Sequence, residues 1–437
     1  MNIILKLIRY FFSILYWNLQ STEKIRKMQL LKFKKIFEYA REKSPFYRDI
    51  YTKAGVMDLE IKSWEDVEKV PIVDKDIMRQ YSFEMLTTCD TNNNDVVTCS
   101  TSGSTGEPFK LAYSKFANTA AYFRVLYVMW KVAKYNPLKK ITLLSKYDYN
   151  DKFKVENNIG ILHKVQNYLG LFKRDIVSIF ETPKVIVEKL LESKPYILYS
   201  SSSAVDIAAN YIIENNIKIH IPYILLIAEP VSEEQYYKFR KCFNANIIDI
   251  YGAQESPTIG FDVNKRGCFH LFPNSSIIEF INCQETENGR KGTIVVTNTI
   301  NTVQPFIRYN LKDYADVINK KEFGVTEIGP IVGRLSDVLT FPDGSKLFHY
   351  CISQLYGNFH EAKQYKLYQN ALEPIELHIV PNKDIEDEVV IKEALRRWNT
   401  KYPQYDIVIK IVDNLPIDPK TGKFKVIEHK NNTNEKS

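Results

Sequence analysis

The chain has 437 residues, 45% hydrophobic and 25% charged, a balance that excludes a disordered or fibrous protein and supplies apolar side chains for a large core. Its net charge of +7, from 59 basic and 52 acidic residues, is scattered along the sequence, so it offers a mild attraction for anions and no basic stripe for a nucleic acid. The six cysteines, Cys89, Cys99, Cys242, Cys268, Cys283 and Cys351, form no C-x-x-C pair, which points to free thiols in a reducing, cytoplasmic setting.

Residues 1–20 are apolar and aromatic, with Lys6 and Arg9 inside the stretch and Lys24, Arg26 and Lys27 after it. The stretch is too short and too charged for a membrane span, and no small-residue cleavage site follows. Two readings stay open. One is a helix at a headgroup boundary, where Phe11, Phe12, Tyr16 and Trp17 beside cations are at home; the other is a first helix packed on the core. Residues 33–51 then read as a helix with Phe33, Ile36, Phe37 and Ala40 on its apolar side, ending at Ser44 and Pro45.

Between Thr98 and Gly106 the chain packs six hydroxyls and two glycines. Val96 and Val97 before it, and residues 109–113 after it, read as strands, so this is a polar loop gripped by two strands. Gly103 and Gly106 permit backbone angles at which several N–H groups converge, and Ser102, Ser104 and Thr105 add donors, which suits a polyphosphate. The ATPase loop G-x-x-x-x-G-K-[ST] does not fit, because Pro108 stands five residues after Gly103. Composition alone favours a solvated turn.

Residues 114–134 form a long helical pattern whose aromatic stripe, Phe116, Phe123, Tyr127 and Trp130 with Ala120 and Leu126, reads as core. From 141 to 199 strands and helices alternate, the mark of α/β layering. Residues 223–228 suit a buried parallel strand, Glu229 and Pro230 turn the chain, Ser232 and Gln235 make a capping box, and residues 246–250 form the next strand. A right-handed β-α-β crossover puts the ends of both strands on one sheet edge, so Ala228-Glu229-Pro230 and residues 251–255 are expected side by side where such sheets bind ligands. Cys268 and His270 flank Phe269, but two donors do not make a tetrahedral zinc site. Further on, residues 364–368 and 375–380 read as strands, 386–398 as a helix and 406–412 as a strand. Residues 431–437 are polar and expected to be disordered.

In this order, residues 98–108 (TCSTSGSTGEP), Ala228-Glu229-Pro230, residues 251–255 (YGAQE), residues 305–309 (PFIRY) with Asp313, residues 333–337 (GRLSD) and Gly422-Lys423 resemble the signatures of the adenylate-forming (acyl-CoA synthetase) superfamily. Within it the chain looks like the phenylacetate-CoA ligase family, and residues 342–345 (PDGS) resemble its capsular polysaccharide subgroup. The likeness runs from about Phe33 to about His429. It implies a large layered α/β N-terminal domain at 33–335, after an N-terminal helical segment at 1–32, and a small α+β C-terminal lid at 336–430.

The implied activity is ATP-dependent, AMP-forming activation of a carboxylic acid as its acyl-adenylate, followed by transfer to CoA, with Mg²⁺ at the phosphates. By the same resemblance Thr101, Ser102, Gly103, Ser104, Thr105 and Gly106 cradle phosphate; Ala228, Glu229 and Pro230 line the adenine; Tyr251 packs on its ring beside Gly252; and Glu255 holds the metal. Asp313 is the expected ribose partner, since two carboxylate oxygens can accept from both vicinal hydroxyls. Arg334 would reach ribose or phosphate, and Lys423, with Lys420 and Lys425 as neighbouring candidates, would arrive with the lid to meet transition-state charge. Tyr122, Phe123 and Tyr127 lie near the region of the family's acyl pocket, and Arg308 reads as structural or near the entrance.

Two residues depart from the pattern. Gln254 stands where the family usually has a hydroxyl, although its amide can also donate to the α-phosphate, and Ser336 stands in place of the hinge Asp. They leave open an acyl-adenylate-dependent transferase modifying a saccharide acceptor, and a non-catalytic nucleotide-binding assembly protein. The expected location is cytoplasmic, with contact to the inner membrane face through the N-terminus.

Overall fold

The computed structural model describes residues 3–89, 91, 95–100, 109–145, 173–286, 289–318, 324–334, 338–343, 346–348, 352, 355, 356, 359–370, 374–416 and 424–429. The protein is α/β and divides into two compact units, Met1–Pro137 with Ile248–Ile331, and Leu138–Ile247 with Val332–Ser437. The chain crosses from one to the other inside the strand Asn246–Tyr251.

In the first unit, the helix Thr22–Lys43 starts where Ser21 accepts from the Lys24 amide, and it buries Phe33, Ile36, Phe37 and Ala40. The helix expected over 33–51 is two helices. Pro45 pushes Ser44 into extended backbone (φ −97°, ψ 117°), and Ser44 then caps Pro45–Lys53. Phe46, Tyr47 and Tyr51 from this second helix join the same core. That core is backed by an antiparallel sheet of Ser276–Thr286, Gly289–Asn298 and Tyr309–Asp316, paired in that order. The strands Gly260–Val263, Phe269–Leu271 and Glu327–Ile328 pair antiparallel beyond the end of Asn246–Tyr251.

The stripe of the helix Lys115–Lys131 is core only in part: Ala120 and Tyr127 are buried, Phe116, Phe123 and Leu126 are half-buried and Trp130 is exposed, because the partner that covers it is the single N-terminal helix Ile3–Asn18. Phe11 meets Phe123, Tyr127 and Trp130 at centroid distances of 6.4, 6.3 and 6.1 Å, and Asn18 donates to the Tyr127 hydroxyl at 3.1 Å. The opposite face of the helix leaves Leu5, Ile8, Phe12 and Tyr16 exposed, with Leu19 just beyond. The packed reading accounts for one side, which takes in Phe11 and the buried Trp17; the other side is apolar and exposed. Among the described residues no helix is long and apolar enough to cross a membrane.

In the second unit, Tyr223–Ile227, Ile197–Ser200, Ile141–Ser145 and Arg174–Ser178 pair parallel in that order. The apolar run of Tyr223–Ile227 suits burial on both faces, whereas the edge strand Arg174–Ser178 is polar and only Val177 on it is buried. The helices Pro183–Ser193, Ser202–Glu214 and Glu233–Phe243 cover them, the last opened by the expected Ser232–Gln235 capping box. The C-terminal stretch has its own core, drawn from Leu339 to Ile427 around the fully buried Trp398. Its strands are ordered Ile407–Ile411, Ile375–Pro381, Ala362–Gln369 and Ile427–His429, with the helix Asp387–Lys401 supplying Trp398.

Candidate active site

Two stem strands, Val96–Ser100 and Lys110–Ser114, pair antiparallel with Ser100 opposite Lys110, as the hydroxyl-rich loop between them requires. The hairpin is fixed by amides: Gln304 Oε1 accepts from the Ala112 N–H at 2.8 Å, and Asn301 Nδ2 donates to the Ala112 carbonyl at 2.9 Å. Thr101, Ser102, Gly103, Ser104, Thr105 and Gly106 lie outside the described residues, as do Ser336 and Lys423.

At the end of the strand Asn246–Tyr251 the chain turns through Gly252 to Thr258. A side chain at Gly252 would place its Cβ 2.6 Å from the Thr258 amide nitrogen, closer than packed atoms approach, so only glycine closes this turn. Ala253 and Ser256 exchange backbone hydrogen bonds at 3.2 and 3.1 Å across it. Thr258 is left-handed (φ 56°), a strained backbone that needs an outside brace. The brace is Arg124, 3% exposed, whose guanidinium donates to the carbonyls of Pro257 and Thr258 and to the hydroxyl of Tyr10 on the N-terminal helix. Sequence reasoning missed Arg124. Its one signal was a charge set in the apolar pattern of the helix.

The turn presents two acidic pairs. Tyr251 Oη donates to Asp313 Oδ2 at 2.8 Å, and both residues are buried. Phe269 meets the Tyr251 ring edge-on at 6.0 Å and holds it upright. Tyr309 Oη donates to Glu255 Oε1 at 3.0 Å, while Asn298 Nδ2 donates to the Glu255 backbone carbonyl at 3.1 Å. Burial, and secondly the adjacent Glu255 charge, push the Tyr309 phenol far above its usual range, so it stays a donor. Tyr113, on the hairpin strand, feels the same carboxylate, and among the described residues its buried hydroxyl has no hydrogen-bond partner. Gln254 is exposed, with its Oε1 3.9 Å from Cys99 Sγ, which sets it beside the strand that leads into the hydroxyl-rich loop.

Arg308 is structural. Its Nε donates to Glu279 Oε2 at 3.0 Å with both side chains buried, and Nη1 donates to the Glu68 carbonyl at 2.8 Å. The guanidinium thus ties the Trp64–Lys69 segment to the sheet.

In the second unit, Ala228 is left-handed (φ 68°) and turns the chain out of its strand. Glu229 is not a solvated loop charge: one carboxylate oxygen accepts from the Ser203 N–H at 3.0 Å and the Ser202 hydroxyl at 3.3 Å, capping the helix Ser202–Glu214. Its other oxygen is buried and, among the described residues, without a partner. Pro230 accepts at its carbonyl from Ser202 at 3.1 Å. Arg334 ends the strand Ile331–Arg334. The buried Lys366 ammonium donates to the Pro416 carbonyl at 3.4 Å and pairs with Glu428.

No family model matches the chain. It is 20% identical over 382 residues to Protein CapK of Staphylococcus aureus, covering 86% of this chain and 82% of that protein. It is 24% identical over 331 residues to phenylacetate-coenzyme A ligase of Thermus thermophilus, covering 72% of each. Among solved structures, 2-hydroxyisobutyryl-CoA ligase in the postadenylation state, in complex with an acyl-AMP, matches with a TM-score of 0.73 at 17% identity over 93% of this chain and 89% of that one. The same ligase with CoA in its thioesterification state matches with a TM-score of 0.58. The chain has the fold of the adenylate-forming acyl-CoA ligases. Its two curated relatives agree with the likeness carried by the motifs, to the phenylacetate-CoA ligase family and its CapK branch.

Proposed function

We propose that the protein activates a carboxylic acid with ATP and passes the acyl group from the adenylate to CoA. The carboxylate oxygen attacks the α-phosphorus and the bond to pyrophosphate breaks; the CoA sulfur then attacks the acyl carbon, its proton passes to solvent, and AMP leaves. The observation that carries this reading is the pairing of Tyr251 with Asp313 and of Tyr309 with Glu255, two buried acids held by phenols where the turn after Tyr251 meets the strand Tyr309–Asp316.

Asp313 accepts from the ribose hydroxyls, and Glu229, whose second oxygen is buried and without a partner among the described residues, accepts from the exocyclic amine of adenine. The Glu255 carboxylate is a hard oxygen donor and fits Mg²⁺, and the buried Tyr113 hydroxyl, without a partner among the described residues, would donate to a metal-bound water or a phosphate oxygen. When bound, that ion neutralises phosphate charge. Gln254 donates its amide hydrogens to the α-phosphate. By the motif resemblance Thr101, Ser102, Gly103, Ser104, Thr105, Gly106, Gly252, Arg334 and Lys423 also act on the nucleotide, Lys423 from a lid at 336–430.

The resemblance of residues 342–345 (PDGS) to the capsular polysaccharide subgroup supports a saccharide in place of CoA as a second reading of the acceptor. Mass spectrometry of the co-purifying ligand, followed by addition of CoA to the loaded protein, decides between them. An acyl-AMP that yields acyl-CoA supports the first reading. One that survives CoA and is consumed by saccharide precursors supports the second.

The exposed apolar face of the N-terminal helix, with Lys24 and Lys27 nearby, seats the protein on an anionic membrane surface at the cytoplasmic side. Phe12→Glu should abolish flotation with anionic vesicles at unchanged thermal stability, because Phe12 is exposed. Unchanged flotation removes this placement.

A further inference from the structure

Away from the candidate active site, one thiol, one imidazole and one carboxylate converge: the ligand atoms of Cys268, His270 and Glu327 lie within 4.8 Å of one another. Their meeting is built by the backbone. The Asp262 carboxylate accepts from the N–H groups of Val263, Arg266 and Gly267 at 2.6, 3.1 and 3.1 Å, closing a turn in which Asn264, Lys265 and Gly267 are left-handed (φ 56°, 50° and 74°). That turn delivers Cys268 to the head of the strand Phe269–Leu271. Strand alternation then sends Phe269 inward onto Tyr251 and puts Cys268 and His270 on the other face. The antiparallel register sets His270 opposite Glu327, with Nδ1 2.9 Å from Glu327 Oε1.

We propose that Cys268, His270 and Glu327 form a site for a zinc-like divalent ion, with water as the fourth ligand. Sulfur, nitrogen and oxygen donors on three short side chains are what a borderline-soft tetrahedral ion takes. A cross-strand His–Glu pair would by itself account for two of the three residues. It gives no reason for a braced left-handed turn to bring a free thiol to the same point. The thiol is protonated in the metal-free chain, since burial and Glu327 push it up to about 11, so binding releases its proton to solvent. The ion would tie the strand that backs Tyr251 to its edge neighbour, a structural role separate from nucleotide chemistry.

The test uses the full-length chain stripped with a chelator and titrated with Co²⁺ alone, with Cys268→Ser, Glu327→Gln and Cys242→Ser run beside it. A thiolate-to-cobalt charge-transfer band saturating at one equivalent, absent in Cys268→Ser, weakened in Glu327→Gln and kept in Cys242→Ser, is the expected result. Zn²⁺ should raise the thermal midpoint of the wild type and leave Cys268→Ser unmoved. A band that persists in Cys268→Ser, or a folded wild type showing neither band nor shift, overturns the site. None of these readouts depends on adenylation.

Discussion

Tyr309 and Glu255 are joined by a 3.0 Å hydrogen bond across 54 residues of sequence, and the phenol is held in its protonated form by burial. One carboxylate oxygen is thereby fixed, and the other takes its direction from it. Removing the phenol in Tyr309→Phe leaves the ring packed against Phe306 and frees the acid to rotate. A hydrogen bond to a charged group contributes about 1.5–3 kcal/mol, so metal-ATP affinity should fall roughly ten- to hundredfold with the fold intact. Calorimetric binding of Mg-ATP measures it. Glu255→Gln should weaken binding and rate together; an unchanged affinity in both variants removes Glu255 from the metal role.

Lys423 separates a ground-state contact from one made only during reaction. If its ammonium meets charge that develops at the α-phosphate, Lys423→Ala should lower single-turnover adenylate formation by about 10²–10³-fold and barely move ATP affinity. Lys366→Met, which removes the contacts to Pro416 and Glu428, should give a milder loss of the same kind. Wild-type adenylation in Lys423→Ala with loss in Lys420→Ala or Lys425→Ala reassigns the role to a neighbour.

Asp249 faces Asp262 across paired strands, and burial with that second carboxylate pushes Asp249 up to about 7. Its folded-state value lies above the unfolded one of about 3.9, so the native state binds a proton that the unfolded chain has released. The stability this contributes is complete below about pH 4 and is lost as pH rises toward 7. Asp249→Asn should therefore raise the urea midpoint near pH 7 and flatten its fall between those limits. An identical pH profile in the variant contradicts this.

Local features were legible in the sequence because they are written in a few neighbouring residues. The capping box of Ser232 and Gln235, the stem strands around the hydroxyl-rich loop and the buried strand Tyr223–Ile227 all formed as read. The break at Ser44 and Pro45 was visible too, but not that Ser44 would close one helix and open the next. What stayed hidden was long-range pairing. The reach of Arg124 to the carbonyls of Pro257 and Thr258 spans 133 and 134 residues, and no periodicity announces it. Glu229 read as a charge beside a ligand, whereas half of its carboxylate caps a helix that starts 27 residues earlier. The signatures contained both acids and both phenols of the site, while the pairing of Tyr251 with Asp313 and of Tyr309 with Glu255, and the Arg124 brace on the turn, came from the tertiary fold.

The central claim is that this site joins a carboxylate to ATP, and exchange of labelled pyrophosphate into ATP tests it most directly. Folded protein should catalyse acid-dependent exchange with at least one member of a panel of aryl, fatty, amino and sugar acids, and Asp313→Ala should lose it. Failure of exchange with every acid, in protein that is folded and binds ATP, would contradict the account and leave a nucleotide-binding protein without ligase chemistry.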